Sequence, residues 1–313
     1  MSVGAYAGAT DTGRKRRRNE DAYVVAPPLF CVADGMGGAQ AGEVASRLAA
    51  AAVEEADPGD RSGPERVTAL IQEANRRVYE RANVDPEASG MGTTMTVALV
   101  EEGRVAIGHV GDSRAYLYRA GELEQLTEDH SLVNELVKSG KLSREEADQH
   151  PQRSVITRAL GTDPNVDVDA FTVESQPGDL YLLCSDGLSS MVDNEQILDA
   201  IDRSRSDLKA VTASLVAAAN RGGGEDNITV VAFEIAPDID ETIVMPALRD
   251  DDTMTIPAKT VENVLRELEP EPKPEQAARR RGPRAPSAGA RLVLTMLALL
   301  GVAAVLLVWG LVR

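Results

Sequence analysis

The spacing of hydrophobic and polar positions changes along the chain. Between Pro64 and Ala82 the apolar residues Val67, Leu70, Ile71, Ala74 and Val78 fall three or four apart. That spacing predicts one buried helix face, with Pro64 in a first-turn position where its missing N–H costs nothing. Gln40–Ala56 and Leu208–Asn220 predict two further helices, the latter stopped by Gly222, Gly223 and Gly224. Short apolar runs predict strands at Leu29–Ala33, Thr93–Val100, Val105–Val110, Arg114–Tyr118, Leu123–Leu126, Leu180–Ser185 and Ile228–Phe233. Those from Thr93 to Leu126 are joined by short Glu-Glu-Gly and Ala-Gly turns, so an antiparallel meander is expected. Strands without regular helical crossovers predict an α+β layered domain rather than a parallel doubly wound one.

The pattern fades after residue 236. Residues 237–291 turn acidic and Pro-rich, then Arg-rich, with too little apolar periodicity to offset the entropy of ordering, and read as a disordered linker. Leu292–Val312 is a run of 21 residues without a charge, which at ~1.5 Å per helical residue reaches about 30 Å, the thickness of a hydrocarbon core. It predicts a C-terminal transmembrane helix. Arg279, Arg280, Arg281, Arg284 and Arg291 precede it and only Arg313 follows, so residues 1–291 are expected in the cytoplasm and the protein at the cell membrane, single-pass. Residues 1–13 carry neither a basic leader nor a long apolar stretch, so no signal peptide is expected. One globular domain over residues 1–236 remains.

Composition narrows the function. A formal net charge of −17 argues against a general nucleic-acid binder, which needs clustered Lys and Arg. With aromatic content of 3%, the core must be built mainly from Ala, Val, Leu and Ile, which favour thin, closely packed layers. Cys31 and Cys184 each sit inside an apolar run, which predicts buried free thiols rather than a disulfide or zinc site. The informative residues are acids at strand ends: Asp34 and Asp186 just after apolar runs, Asp226 just before one, with Glu20 and Asp21 nearby. Any one of them alone would be an ordinary turn or cap residue. Several brought to one rim would repel unless cations sat between them, and an oxygen-rich, His-poor set favours magnesium or manganese.

The segments Arg-Arg-Arg-Asn-Glu-Asp-Ala (16–22), Ala-Asp-Gly-Met-Gly-Gly (33–38), Gly-Thr-Thr (92–94), Gly-Asp-Ser-Arg (111–114), Ser-Asp-Gly-Leu (185–188) and Glu-Asp-Asn-Ile-Thr (225–229) together resemble the protein phosphatase 2C family, in order and approximate spacing, over residues 4–235. The likeness is nearest to bacterial members. It implies a four-layer α-β-β-α sandwich of two antiparallel sheets flanked by helices. It also implies a protein serine/threonine phosphatase that uses Mn2+ or Mg2+, two ions per active site, and direct attack by a metal-bridging water. Carried onto this chain, Asp34 bridges both ions, Glu20 and the carbonyl of Gly35 hold one, and Asp186 with Asp226 hold the other. Asp112 with Asp186 contributes to a third, weaker site. Asp21 orients its neighbours, and Arg16 grips the substrate phosphate with a planar guanidinium.

Met36 stands where eukaryotic members commonly have a His proposed as the general acid. His130 is a candidate replacement, although a buried or capping role is the stronger reading for it, as for His109 and His150. The stretch Ser131–Asn165 resembles the family's flap beside the cleft. The expected partners are phosphorylated proteins, among them a membrane serine/threonine kinase and its substrates, with the C-terminal helix in the membrane and no nucleic acid. Thr242, Thr253 and Thr255 lie in an acidic context resembling kinase sites, against the plainer reading of inert linker. Alternatives remain: an inactive phosphopeptide-binding scaffold, and an enzyme acting on small phosphate esters or on a phosphoserine regulator of an anti-sigma factor.

Overall fold

The computed structural model describes residues 1–37, 41–57, 59 and 61–237, the side chain of Asp148 excepted. Strands that are apolar on both faces need cover on both sides, and this requirement sets the architecture. The strands β1 (Ser2–Asp11), β2 (Asp21–Ala26) and β3 (Leu29–Met36) lead into helices α1 (Ala41–Glu54) and α2 (Gly63–Val84). There follow β4 (Gly92–Thr93), β5 (Met95–Glu101), β6 (Arg104–Val110), β7 (Arg114–Arg119) and β8 (Glu122–Gln125). Short helices α3 (Leu132–Lys138) and α4 (Arg144–Asp148) precede β9 (Asp169–Glu174) and β10 (Leu180–Cys184). The described part closes with α5 (Asp186–Ser189), α6 (Asn194–Ser204), α7 (Leu208–Gly222) and β11 (Ile228–Ala236).

One sheet has the order β1-β11-β10-β7-β8 and the other β2-β3-β5-β6-β9, with β4 paired to the end of β3. The pairings are antiparallel. Phe30, Val32, Ile107, Leu117, Tyr181 and Phe233 fill the space between the sheets. Phe233 stacks on Phe30 at 4.1 Å and on Tyr181 at 5.1 Å between centroids, so three of the chain's few aromatics tie the two sheets together. On the outer face of the second sheet, Ala49, Val53, Val67 and Ile71 of α1 and α2 pack with Cys31, Val97 and Leu99. Leu188, Ile197, Ile201, Val211 and Leu215 cover the outer face of the first with Leu182, Cys184 and Val230. Helices therefore flank two facing antiparallel sheets.

Small residues make these layers thin. A side chain begun at Gly108 of β6 would lie 2.9 Å from Ile71 and 3.0 Å from Val67, so α2 rests directly on the strand. Cys31 and Cys184 are free and fully buried, and burial raises both thiols, Cys184 to about 12.

The expected meander needs correction. The strand pairs β5–β6 and β7–β8 do form hairpins, turned by Glu102-Gly103 and Ala120-Gly121, with all four residues at positive φ. But β6 and β7 lie in different sheets, and Gly111-Asp112-Ser113 carries the chain across. Gly111 has φ 112° and a side chain there would strike Thr94 at 2.5 Å, so the crossing depends on glycine. The run Thr93–Val100 is also broken, at Thr94, which leaves the ladder to bind the backbone of Asp34. The strands β1, β2 and β9 and helix α6 were not expected. The Gly- and Ala-rich Ser2–Asp11 lacks a clear alternation, and its register against β11 shifts between Val3 and Tyr6.

Among the described residues no helix is long and apolar enough to cross a membrane. The expected span 292–312, the linker from 238 and its three threonines lie outside the described residues. Replacing Phe233, fully buried at the centre of the aromatic stack, by Ala should lower unfolding stability by about 3–5 kcal/mol in a urea titration. A loss under 1 kcal/mol would show that the stack does not hold the sheets together.

Candidate metal centre

The register of the second sheet places two acids directly opposite each other: Asp21 of β2 pairs with Asp34 of β3. Like charges across a strand pair repel, so this register needs a compensating cause. The first sheet adds Asp186, the first residue of α5 after β10, and Asp226, two residues before β11. Asp112 comes from the crossing between the sheets. Carboxylates from both sheets thus act on one another at one end of the sandwich.

Hydroxyls and one amide hold the rim in shape. Thr94 Oγ1 accepts from the Asp34 N–H at 3.1 Å, while the Thr94 N–H (2.9 Å) and the Thr93 hydroxyl (2.8 Å) donate to the Asp34 carbonyl. Ser185 and Thr229 donate to Asp21 Oδ2 at 2.8 and 2.7 Å. The buried Asn227 accepts from the Glu20 N–H at 2.7 Å and donates to the carbonyls of Thr12 and Arg18 at 2.9 and 2.8 Å. Glycines give the close approach. A side chain begun at Gly42 would meet both Glu20 Oε2 and the Gly35 carbonyl oxygen at 2.8 Å, so these two oxygens converge on one point beside α1. At Gly187 it would overlap the Asn227 carbonyl.

At this centre burial and mutual repulsion outweigh the nearby cations Arg16 and Arg114. Oδ1 of Asp21, Asp112 and Asp186 are each buried without a hydrogen-bond partner among the described residues. Burial first, and then the charges of Asp21, Asp186, Asp112 and Asp226, push Asp34 well above the usual carboxylate range. Asp21 and Asp112 are each pushed up to about 7, by burial and then by Asp186, with the Thr229 and Ser185 hydroxyls working against the shift at Asp21. Burial and Asp226 raise Asp186, and burial raises Glu20.

Orphaned acceptors of this kind fit hard divalent cations, which take carboxylate and carbonyl oxygens. Glu20, Asp34, Gly35, Asp112, Asp186 and Asp226 supply only such donors. Among the described residues no three acidic, His or Cys side chains already stand close enough to grip one ion. Asp226 is turned outward, its Oδ2 2.6 Å from Arg16 Nη2 and its Oδ1 accepting from the Asn227 N–H. A cation held by that carboxylate would compete with the Arg16 pair for it.

His130 lies against the Gly111 backbone and is fully engaged. Its Nδ1 accepts from the Gly111 N–H at 3.0 Å, and its Nε2 sits 3.1 Å from Asp169 and 3.0 Å from Arg158. His109 is buried between Thr96 and the Glu128 carbonyl, and burial lowers it to about 4. His150 only accepts a local bond from the Gln152 N–H. Sequence reasoning assigned no role to Asn227, Ser185, Thr229, Thr94 or Gly42. All but Gly42 fall within the motifs quoted above, but a lone hydroxyl or amide beside an acid has the same appearance as a turn residue.

Residues 13–220 match the family described as Protein phosphatase 2C. The serine/threonine protein phosphatase PstP of Mycobacterium tuberculosis is 41% identical over 262 residues, covering 80% of this chain and 50% of that protein. This chain therefore spans about half the length of that relative. The serine/threonine phosphatase stp of Listeria welshimeri is 42% identical over 236 residues, covering 72% of this chain and 93% of that protein. A crystal structure of the catalytic domain of PstP in complex with two manganese ions superposes with TM-score 0.70 at 38% identity, covering 76% of this chain and all of that one.

The electrostatics have a defined pH signature. Groups raised to about 7 hold protons in the folded chain that the unfolded chain releases near pH 4, so the folded state binds more protons between those limits. In chelator, stability should therefore fall as pH rises from about 5 to about 7, and Asp34→Asn should raise the thermal midpoint at pH 8. A midpoint that climbs with pH in chelator would contradict this.

Proposed function

The chain belongs to the protein phosphatase 2C family, and from that membership we propose that it hydrolyses phosphoserine and phosphothreonine in proteins by metal-dependent attack of water. The observation that carries the proposal is the set of buried, unpartnered carboxylate oxygens contributed by both sheets at one rim. Bound Mn2+ or Mg2+ would supply Lewis acidity, lowering the pKa of water and neutralising phosphoryl oxygens.

The chain's own residues would do the positioning. Asp34, tied at its backbone by Thr93 and Thr94, would face both ions. Glu20 and the Gly35 carbonyl, which converge beside Gly42, would hold one ion, and Asp186 with Asp226 the other. Asp112 with Asp186 would serve a third, weaker site, and Asp21 would orient Asp34 across the strand pair. Arg16, half-exposed at the mouth and already holding one anionic group, has the charge and planar geometry for the substrate phosphate. Release of Asp226 to a cation would free Arg16 for that task.

Proton delivery to the leaving alkoxide does not fall naturally to His130. Both ring nitrogens are committed, and burial lowers its pKa. Its contacts suit a support for the Gly111–Asp112 backbone.

We place the protein at the cell membrane through residues 292–312, with the phosphatase in the cytoplasm opposing a membrane serine/threonine kinase. The uncharged run and its Arg-rich flank support this. A tether would keep the active site in the same thin layer as the kinase and raise its effective concentration.

Turnover of a phosphothreonine peptide should require Mn2+ or Mg2+ and vanish in chelator. Asp34→Asn should cost at least about a hundredfold in kcat, and Arg16→Ala should raise KM for the phosphopeptide. Undiminished turnover in chelator would refute the proposal. His130→Ala should keep at least about a tenth of wild-type kcat, and a thousandfold loss with intact metal binding would make it the acid. A version ending at Pro237 should dephosphorylate the kinase in cells more slowly than the full chain, and equal rates would remove the case for tethering.

A further inference from the structure

The segment between β1 and β2 holds five consecutive basic residues, Arg14 to Arg18, in a chain with 50 acidic and 33 basic side chains. In a freely moving loop such a run would be no more than solvated charge. Here both ends are stapled: Asn227 Nδ2 donates to the carbonyls of Thr12 and Arg18. The Gly224 carbonyl accepts from the Arg14 and Lys15 N–H groups at 2.8 and 3.2 Å. Gly13, at φ 76°, is pressed so close to the Asp226 carbonyl that a side chain there would overlap it.

The staple divides the charges into two sets. Lys15 and Arg16 are turned onto Glu225 and Asp226. Arg14, Arg17 and Arg18 are exposed and have no ion-pair partner among the described residues. Each lies within two residues of Arg16, so its Cα is no more than about 7 Å from that of the expected phosphate ligand. Arg153, exposed on the segment between α4 and β9, acts electrostatically on Glu225, the partner of Lys15.

We propose that Arg14, Arg17, Arg18 and Arg153 form a substrate-selecting rim that takes acidic side chains flanking the phosphorylated residue. This rests on the phosphatase reading above. Neighbouring residues of an extended peptide are ~3.3 Å apart, so side chains one to three positions from the phosphate come within reach of the free guanidinium groups. The chain's formal net charge of −17 disfavours such a peptide elsewhere, and the basic arc is the counterweight that admits it. Peptides with basic flanks are disfavoured at the same arc.

The test uses the full chain in detergent with Mn2+. Its substrates are three phosphothreonine peptides identical except for Asp-rich, neutral or Lys-rich flanks, with para-nitrophenyl phosphate as a substrate lacking flanks. At low salt the Asp-rich peptide should have roughly a tenfold higher kcat/KM than the neutral one, the sum of a few exposed ion pairs. The advantage should shrink at about 1 M salt, where the screening length drops to about 3 Å. In the triple variant Arg14→Gln, Arg17→Gln, Arg18→Gln it should collapse to about twofold or less, with para-nitrophenyl phosphate turnover unchanged, which also reports an intact fold. Equal kcat/KM for Asp-rich and neutral peptides in the wild-type chain would overturn the rim. So would a preference that survives the triple variant, including the case in which that variant instead loses binding to phosphatidylserine vesicles. Failure to hydrolyse para-nitrophenyl phosphate and all three peptides would instead sink the phosphatase reading, and the rim with it.

Discussion

The structure depends on a set of carboxylates that two sheets force together at one rim. Burial makes Asp21, Asp34, Asp112 and Asp186 costly to ionise, and repulsion from neighbouring carboxylates adds to that cost. A sandwich optimised for stability alone would place hydroxyls or apolar residues at these strand ends. Acids persist there at the expense of the cation-free fold, which is the usual sign that a site is shaped for something other than packing.

The surrounding chain makes that arrangement possible. Thr93 and Thr94 leave the sheet ladder to grip the Asp34 backbone, and Ser185 and Thr229 hold one oxygen of Asp21. Gly42 leaves room for the Glu20 carboxylate and the Gly35 carbonyl, and glycines at 35 and 187 let the backbone segments that carry the acids approach closely. Asn227 connects the centre to its mouth, since one amide fixes Glu20 with its oxygen and the ends of the basic loop with its nitrogen. Acidic centre and basic rim are thereby set by the same residue. The aromatic stack of Phe30, Tyr181 and Phe233 locks the two sheets face to face and so keeps the two halves of the centre in register.

Much of this was legible in the sequence, and the rest was hidden for definite reasons. The long helix α2 was readable because its apolar stripe, Val67 to Val78, is regular over about three turns and its N-terminus carries Pro64. The acids were readable as a group because Asp34, Asp186 and Asp226 adjoin apolar runs and the order of the motifs reached Glu20, Asp21 and Asp112. The switch of sheets at Gly111–Ser113 was not readable: hairpin turns are local signals, whereas the partner of a strand is decided by distant pairing such as β7 with β10. The first strand was missed for a similar reason, since β1 gains its place from its long pairing with β11 rather than from its own Gly- and Ala-rich residues. The engagement of Arg16 by Asp226 joins residues 210 positions apart, and no spacing rule reaches that far.

The central claim is that divalent cations compensate the rim by displacing protons from it. The direct measurement is calorimetric titration of the chelator-stripped chain with Mn2+ at pH 6.5 in buffers of different ionisation enthalpy, which yields both the number of ions and the protons released. Two ions bound per chain with net proton release are expected, because Asp34 and Asp186, raised by burial and by neighbouring carboxylates, must give up their protons to become ligands. Absence of binding, or binding with no proton release, would contradict it.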